Sequence, residues 1–257
     1  MMDKKDVTVL FDGSFEGFLC VVYAYYYDGI NPLAIQKEMD FQPTIDSFEY
    51  NVCTDINKAL RVQAGICKKI SKDACHNLAC AFLADYRYRR MACDDSVYMD
   101  MFRYVLLGFK IGAMVDSSLQ HSYVLCVHKL CCAVTKEAHL LTGFSRFAQT
   151  KDGVYYCEIK PVHQVLTILA EHFKDRMMNQ MWVIHDKKHG MAAIYDGNEC
   201  RILAVPKSAS VEYSDEEEGV QALWKGFLNA LSIENRRNER LQRGLLPLRF
   251  RGFMTEF

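Results

Sequence analysis

"MWVIHDKKHGMAAIYDGNECRILAV", residues 181–205, decides the class of this chain. Its apolar runs are each of strand length, and they break at Lys187–Gly190 and at Asp196-Gly197. An Asp-Gly pair between extended runs is among the strongest short-range hairpin signals. "FSRFAQTKDGVYYCEI", residues 144–159, repeats the pattern around Asp152-Gly153. The two stretches together predict five antiparallel strands. Between and after them, Val165, Leu166, Leu169 and Phe173 mark one helix, and Val220, Leu223, Trp224, Phe227, Leu228 and Leu231 mark another. Each has a one-sided apolar stripe suited to covering the sheet. The acidic run Ser214–Glu218 opens the second helix, where the helix dipole favours negative charge.

Upstream of Gly143 the periodicity is helical. A strand at Val7–Phe11 leads into a helix from Ser14, and a second short strand spans about Ser47–Val52. Helices are then predicted over about Asp55–Ile70, with Thr54 as cap, and over Ala74–Ala84, Ser96–Val115 and Tyr123–His139. The expected fold is therefore α+β: a mainly helical region, residues 1–142, with at most a two-stranded appendage, and an antiparallel α+β region, residues 143–257, that ends in an Arg-rich helix and tail. The turn in "FDGSFEGFL", residues 11–19, has neither the Lys-Ser/Thr pair of a P-loop nor dinucleotide-binding spacing, and Asp12 and Glu16 would repel phosphate. Ser14 reads as a helix cap, and Asp12 stands as a catalytic candidate at the end of its strand.

Half the residues are hydrophobic, a quarter are charged and the net charge is −1, so any attraction for nucleic acid must come from a local patch. The N-terminal MMDKKDV lacks the apolar stretch of a secretory signal, and the longest apolar runs are about half of the ~20 residues a membrane span needs. The expectation is a cytoplasmic protein with no membrane partner. Eleven cysteines include no C-x-x-C pair. The one dense group is Cys126, His128, Cys131 and Cys132, and on a helix Cys126 and Cys131 point about 140° apart. The cysteines read as small, buried, reduced thiols, with no metal and no other cofactor expected.

Glu137, His139, Arg146, Glu158 and His163 cluster in sequence around the join between the two regions. An arginine on an apolar sheet face needs an acidic partner, which makes Arg146 and Glu137 candidates for a structural ion pair. The competing reading is a catalytic site of Glu137, His139 and His163, with Asp12 nearby. The closing segment "SIENRRNERLQRGLLPLRFRGF", residues 232–253, places Arg236, Arg240 and Arg243 at helical spacing, and Arg249 and Arg251 alternate with Phe250 and Phe253. Basic side chains interleaved with aromatic ones suit phosphate contact and base stacking, so Arg236, Arg240, Arg243 and Arg249 are nucleic-acid-binding candidates against the alternative of a solvated face. "DYRYRR", residues 85–90, is a second, smaller cluster of the same kind.

Several stretches together resemble a bacterial family of unknown function described as DNA metabolism proteins. They are "FDGSFEGFL", "LGFKIG", "EAHLLTGFSRF", "YYCEIKPVHQVL", "WVIHDKKHGMAAIYDG", "ALWKGF" and "LPLRFRGFMTE", and they span essentially the whole chain. The family's closing motif has Arg-Tyr-Trp-Lys where this chain has Arg249-Phe250-Arg251-Gly252, which keeps the arginine and changes its aromatic neighbours. Members are encoded beside a radical-SAM protein of DNA modification or repair, and related domains are fused to uracil-DNA-glycosylase-like domains. The resemblance implies an accessory nucleic-acid-binding protein that works with a radical-SAM partner on DNA. Two other readings stay open from the residues: an enzyme acting on a nucleic acid or nucleotide through Glu137, His139 and His163, and a protein adaptor that does not touch nucleic acid.

Overall fold

A computed structural model describes residues 5–42, 48–85, 97–233, 236 and 238–257. "DYRYRR" from Tyr86 onward and Ser47, the first residue of the strand expected at 47–52, lie outside the described residues. The chain forms two compact units, Met1–Val134 and Thr135–Phe257, divided within one long helix.

The first unit begins with β1 (Lys5–Phe11), whose Val7, Val9, Leu10 and Phe11 are buried. Helix α1 (Phe15–Tyr27) returns the chain to β2 (Ile30–Lys37), and β3 (Glu49–Asn51) follows. The sheet order is β2-β1-β3 and both pairings are parallel. The two-stranded appendage expected from the sequence is thus a three-stranded parallel sheet. Its extra strand, INPLAIQK, carries a proline, which an edge position tolerates because the missing N–H faces away from the ladder. The register slips by one residue directly after the Val7–Pro32 pair, and Leu33 bulges out, 65% exposed. Helices α2 (Ile56–Lys69), α3 (Lys72–Phe82) and α4 (Val97–Ile111), a 3₁₀ stretch (Gly112–Ser117) and the start of α5 (Ser122–Phe144) complete the unit. Its core includes edge-to-face contacts of Phe11 with Phe18 and Tyr98.

The β1–α1 turn is a self-contained capping device. Gly13 sits at φ +86°, where a side chain would be strained. Asp12 Oδ1 accepts the Ser14 N–H at 2.9 Å and the Ser14 hydroxyl at 2.6 Å, and Ser14 Oγ in turn accepts the Gly17 N–H at 2.9 Å. Thr54 does not cap α2; it donates to Asp12 Oδ2 at 2.9 Å, and Asp55 is the cap, accepting from Asn57 and Lys58.

The second unit contains the end of α5, then β4 (Ala148–Gln149), β5 (Tyr155–Ile159), α6 (Leu166–Arg176), β6 (Trp182–Asp186), β7 (Met191–Tyr195), β8 (Cys200–Ala204), α7 (Glu217–Leu231), α8 (Glu239–Leu245) and the single turn α9 (Leu248–Arg251). The five strands lie in sequence order in one sheet. That sheet is mixed and not wholly antiparallel: β5 and β6 run parallel, because α6 carries the chain back across the sheet between them. Leu166, Leu169, Ala170 and Phe173 of α6 are buried as expected. The second predicted covering helix behaves differently. α7 forms, but Val220, Leu223, Phe227 and Leu231 are more than half exposed, and Glu217 is its one buried residue.

The buried thiols behave as packing groups. Burial pushes Cys75 up to about 11 and Cys157 up to about 12, so both stay protonated at neutral pH. Cys53 and Cys132 are exposed, and Cys126, contrary to the reduced-thiol reading, is disulfide-bonded.

A Cβ on Gly17 would run into Asp12 Oδ1 and stand 2.9 Å from Thr54 Oγ1 and 3.0 Å from Ser14 Oγ. Gly17→Ala is therefore expected to disrupt the whole turn at a cost of about 1–3 kcal/mol, against about 1 kcal/mol for Ser14→Ala, which removes the cap alone. Urea-unfolding midpoints of the two variants check the ranking.

Candidate functional site

A connected set of polar side chains in the second unit surrounds the carboxyl ends of the parallel strands β5 and β6. Glu137 of α5 is 2% exposed. Its Oε1 accepts the Val162 N–H at 3.0 Å, its Oε2 accepts the His163 N–H at 2.7 Å, and Arg249 pairs with Oε1 at 3.0 Å. A buried carboxylate needs this many donors to stay charged. Pro161 directs the chain off β5, so the next two amides are free of the ladder and point to the carboxylate. Arg249 also lies over the ring of Phe250, 4.6 Å from its centre, and Phe250 contacts Phe144 at the end of α5.

The network continues through the β6–β7 turn. Lys188 Nζ donates to the Val162 carbonyl at 2.5 Å. Asp186, 1% exposed, accepts the N–H groups of Lys188 and His189 at 3.0 and 3.1 Å and pairs with His189 Nδ1 at 2.5 Å. Lys187 bridges Glu158, at 2.9 Å, and the Ala209 carbonyl, at 2.6 Å. On the sheet, Glu158 is in register with His185, so Tyr156, Glu158 and His185 share one face. The Tyr156 hydroxyl lies 2.7 Å from His185 Nδ1 and 3.2 Å from Glu158 Oε1. Burial, with Lys187 adding to it, holds the His185 pKa below the ordinary histidine range, so the ring is neutral. Tyr156 has one proton to give. When it goes to Glu158, His185 Nδ1 carries the ring proton and Nε2, which is sealed from the surface and has no partner among the described residues, keeps a bare lone pair.

The residues singled out in the sequence are distributed as follows. Glu137 and His163 meet, through the His163 backbone. His139 does not join them: two positions along a helix turn it about 200° away from Glu137, and it is exposed. Asp12 belongs to the first unit, where its hydrogen bonds are spent on the capping turn. Burial raises its pKa, but the hydrogen bonds from Ser14 and Thr54 outweigh that and hold it below the usual aspartate range. The expected Arg146–Glu137 pair is replaced by another. Arg146 precedes β4 instead of lying within a strand, and its guanidinium grips Glu256 through two bonds, at 2.6 and 3.2 Å. Glu137 is taken by Arg249. Arg236, Arg240 and Arg243 are exposed, but α7 ends at Leu231 and α8 starts at Glu239, so they do not form one continuous helical strip. Arg243 pairs with Glu239 at 3.3 Å.

Sequence reasoning missed Tyr156, His185, Asp186, Lys187, Lys188 and Glu256. The available signal was the run His185–His189, five consecutive titratable residues where an apolar strand meets a glycine turn. The dense Cys/His group resolves into separate contacts: Cys131 faces Asn77, His128 faces Asp116 at 3.5 Å, and Cys132 is exposed. Among the described residues no three His, Cys, Asp or Glu side chains are arranged to hold a metal ion.

Every carboxylate of this network is met by two or three donors from the protein itself. The arrangement is a set of internal anchors that ties α5, the β5–α6 connection, the β6–β7 turn and the end of the chain together. Glu137→Leu strands two buried amides and a guanidinium and is expected to cost about 3–5 kcal/mol. Arg249→Met is expected at the low end of that range, since the carboxylate keeps its two amides; chemical unfolding measures both. Burial raises the Glu256 pKa, but the bonds from Arg146 and Trp224 outweigh it and hold the group below the usual glutamate range. Its contribution is therefore fully present above about pH 4.3, the unfolded value, and is lost as pH falls through the lower folded value. The stability difference between the protein and Glu256→Gln should be flat from neutral pH down to about pH 5 and should shrink below it.

No curated protein matches the chain. A family model described as a domain of unknown function, DUF4130, matches residues 95–256, which include β4–β8, the anchors at the strand ends and the C-terminal helices. The chain belongs to the DUF4130 family of unknown function.

Proposed function

We propose that this protein is an accessory factor of DNA repair or modification, cytoplasmic, which docks a partner protein on α7 and contacts nucleic acid through the exposed arginines that follow it. The observation that carries the reading is the face of α7. Val220, Leu223, Trp224, Phe227 and Leu231 recur at three- and four-residue spacing on one side of a fifteen-residue helix, and their exposures run from 38% to 76%. A contiguous apolar stripe of this kind on an amphipathic helix is the form in which a helix enters a partner's groove. Asp215, Glu216 and Glu218 are exposed at the start of the same helix, so the groove that fits it is apolar with a basic rim. The radical-SAM protein implied by the family resemblance is the partner this reading names.

The segment from residue 232 to the C-terminus holds six arginines against three glutamates in a chain of net charge −1, which supports the nucleic-acid half of the reading. Arg236, Arg240 and Arg243 are the side chains proposed for phosphate contact. Arg249 is proposed to act on nucleic acid only indirectly, because its charge is committed to Glu137. The absence among the described residues of a helix long and apolar enough to cross a membrane accords with this reading.

Co-expression of the full chain with the radical-SAM neighbour, followed by size-exclusion chromatography, tests the docking half. Leu223→Asp with Phe227→Asp should abolish the complex and leave the unfolding midpoint within about 0.5 kcal/mol of the parent, since neither side chain is part of the core. A complex that survives the double variant, or a self-association lost in its place, overturns the assignment. For the nucleic-acid half, Arg240→Ala and Arg243→Ala should each lower the log–log salt slope of DNA binding by about one unit. An unchanged slope in the folded double variant rejects these arginines as phosphate contacts.

A further inference from the structure

The first unit carries a cavity that none of the foregoing uses. It measures about 620 Å³ and is lined by the C-terminal halves of α1 and α4 and by α2 from its middle to its end. Tyr25, Tyr26, Tyr27 and Phe109 supply aromatic walls, Arg61, Lys69 and Lys110 supply three cations, and no carboxylate is among the described lining residues. We propose that this cavity binds a nucleoside phosphate, either as a free nucleotide or as one unit of a single strand, with the base against the tyrosines and the phosphate among the three cations. The proposal does not rest on the docking face of α7, which belongs to the other unit.

The aromatic wall is fixed by contacts between its rings. Tyr25 packs edge-on against Phe102 and Tyr26, and Tyr26 packs edge-on against Phe109, with centroids 5.0–5.6 Å apart. Tyr23 stacks under Tyr27 at 4.4 Å, and the Arg61 guanidinium covers the Tyr27 ring at 4.7 Å. Tyr26 and Tyr27 remain 48% and 53% exposed. With Tyr27 stacked between Tyr23 and Arg61, the outer face of the planar guanidinium and the exposed part of Tyr26 form the stacking platform for a base of any sequence.

The cations need an explanation beyond helix ends. Lys69 and Lys110 sit at the ends of α2 and α4, where a positive charge offsets the dipole. Three helix ends contribute about half a negative charge each, which leaves the three full positive charges in surplus. Arg61 lies in the first half of α2, where the dipole gives it no reason to be. Elsewhere Arg146, Arg201, Arg243 and Arg249 each hold a glutamate. Among the described residues Arg61, Lys69 and Lys110 have no carboxylate partner, and Arg61 has a ring instead. Like charges gathered around a concave surface in a slightly acidic chain mark a place for an anion.

Gly65 adds a third feature. It stands inside α2 and lines the cavity, although glycine weakens a helix interior. Close packing does not demand it: an added Cβ would meet Phe109 at 3.8 Å, ordinary contact. What a side chain there would do is enter the cavity. The volume falls within the range of small-ligand sites and suits one nucleotide.

Isothermal titration of the full chain with AMP, adenosine, inorganic phosphate and oligothymidylate (dT)₄ tests the proposal. AMP or (dT)₄ is expected to bind one-to-one, at least tenfold more tightly than adenosine or phosphate alone, and more weakly as salt rises. Preference for (dT)₄ over AMP and dTMP assigns the site to a strand, and the reverse assigns it to free nucleotide. Lys69→Gln with Lys110→Gln should weaken binding at least tenfold, and Gly65→Leu should abolish it, both with unchanged circular dichroism. If Gly65→Leu does not fold, Gly65→Ala serves in its place, with a more stable helix and weaker binding. No binding by AMP, dTMP or (dT)₄ at millimolar concentration, or binding that the folded lysine and glycine variants leave intact, overturns it. These readouts use the first unit's residues, so they fail or succeed independently of the α7 and Arg240/Arg243 variants.

Discussion

The second unit depends on one buried carboxylate. Glu137 lies on the last turns of α5 with almost no exposure, and such a charge is stable only when protein donors replace the water it has lost. Its donors come from two places far apart in sequence: the first amides of the β5–α6 connection and the guanidinium of Arg249. Satisfying one side chain therefore fixes the exit direction of β5 and the seat of the chain's end. The Val162 carbonyl, turned outward by the same constraint, receives Lys188 and brings in the β6–β7 turn. A second clamp, Arg146 on Glu256, also holds the last residues.

That exit direction bears on the sheet. A chain leaving β5 through Pro161 into α6 crosses over and re-enters alongside β5 in the same direction, so the β5–β6 pair is parallel inside an otherwise antiparallel sheet. The parallel pair puts two strand ends and their following loops on one edge. Asp186, Lys187, Lys188 and His189 gather there with Glu158 and Glu137. Because each carboxylate meets its donors within the protein, the cluster serves to fasten the loops, and among the described residues His185 keeps an unpartnered buried nitrogen on the face shared with Tyr156 and Glu158.

The two units use positive charge in opposite ways. In the second, arginines that look alike in the sequence divide into those answering a buried or half-buried glutamate, Arg146 and Arg249, and those facing solvent, Arg236 and Arg240. In the first, three cations face a cavity with aromatic walls and no carboxylate among its described lining residues.

The apolar periodicities and Asp-Gly turns were enough to read the α+β class, the helices of the first unit, the strands β5–β8 and the buried face of α6, because those signals are local: period, turn chemistry and capping act within a few residues. Ser14 as the cap of α1 was legible for the same reason. Strand direction, the third strand of the first sheet and the exposure of α7 were not, since each depends on what lies opposite. INPLAIQK looks like a poor strand until an edge position excuses its proline, and the α7 stripe is identical whether or not a surface meets it. Of the candidate site, Glu137 and His163 were legible as a polar cluster and Arg249 as part of a basic tail. Which arginine answers which carboxylate was decided only by the tertiary structure, because a charge buried by the fold takes the partner that geometry brings within three ångströms, and sequence separation carries no information about that distance.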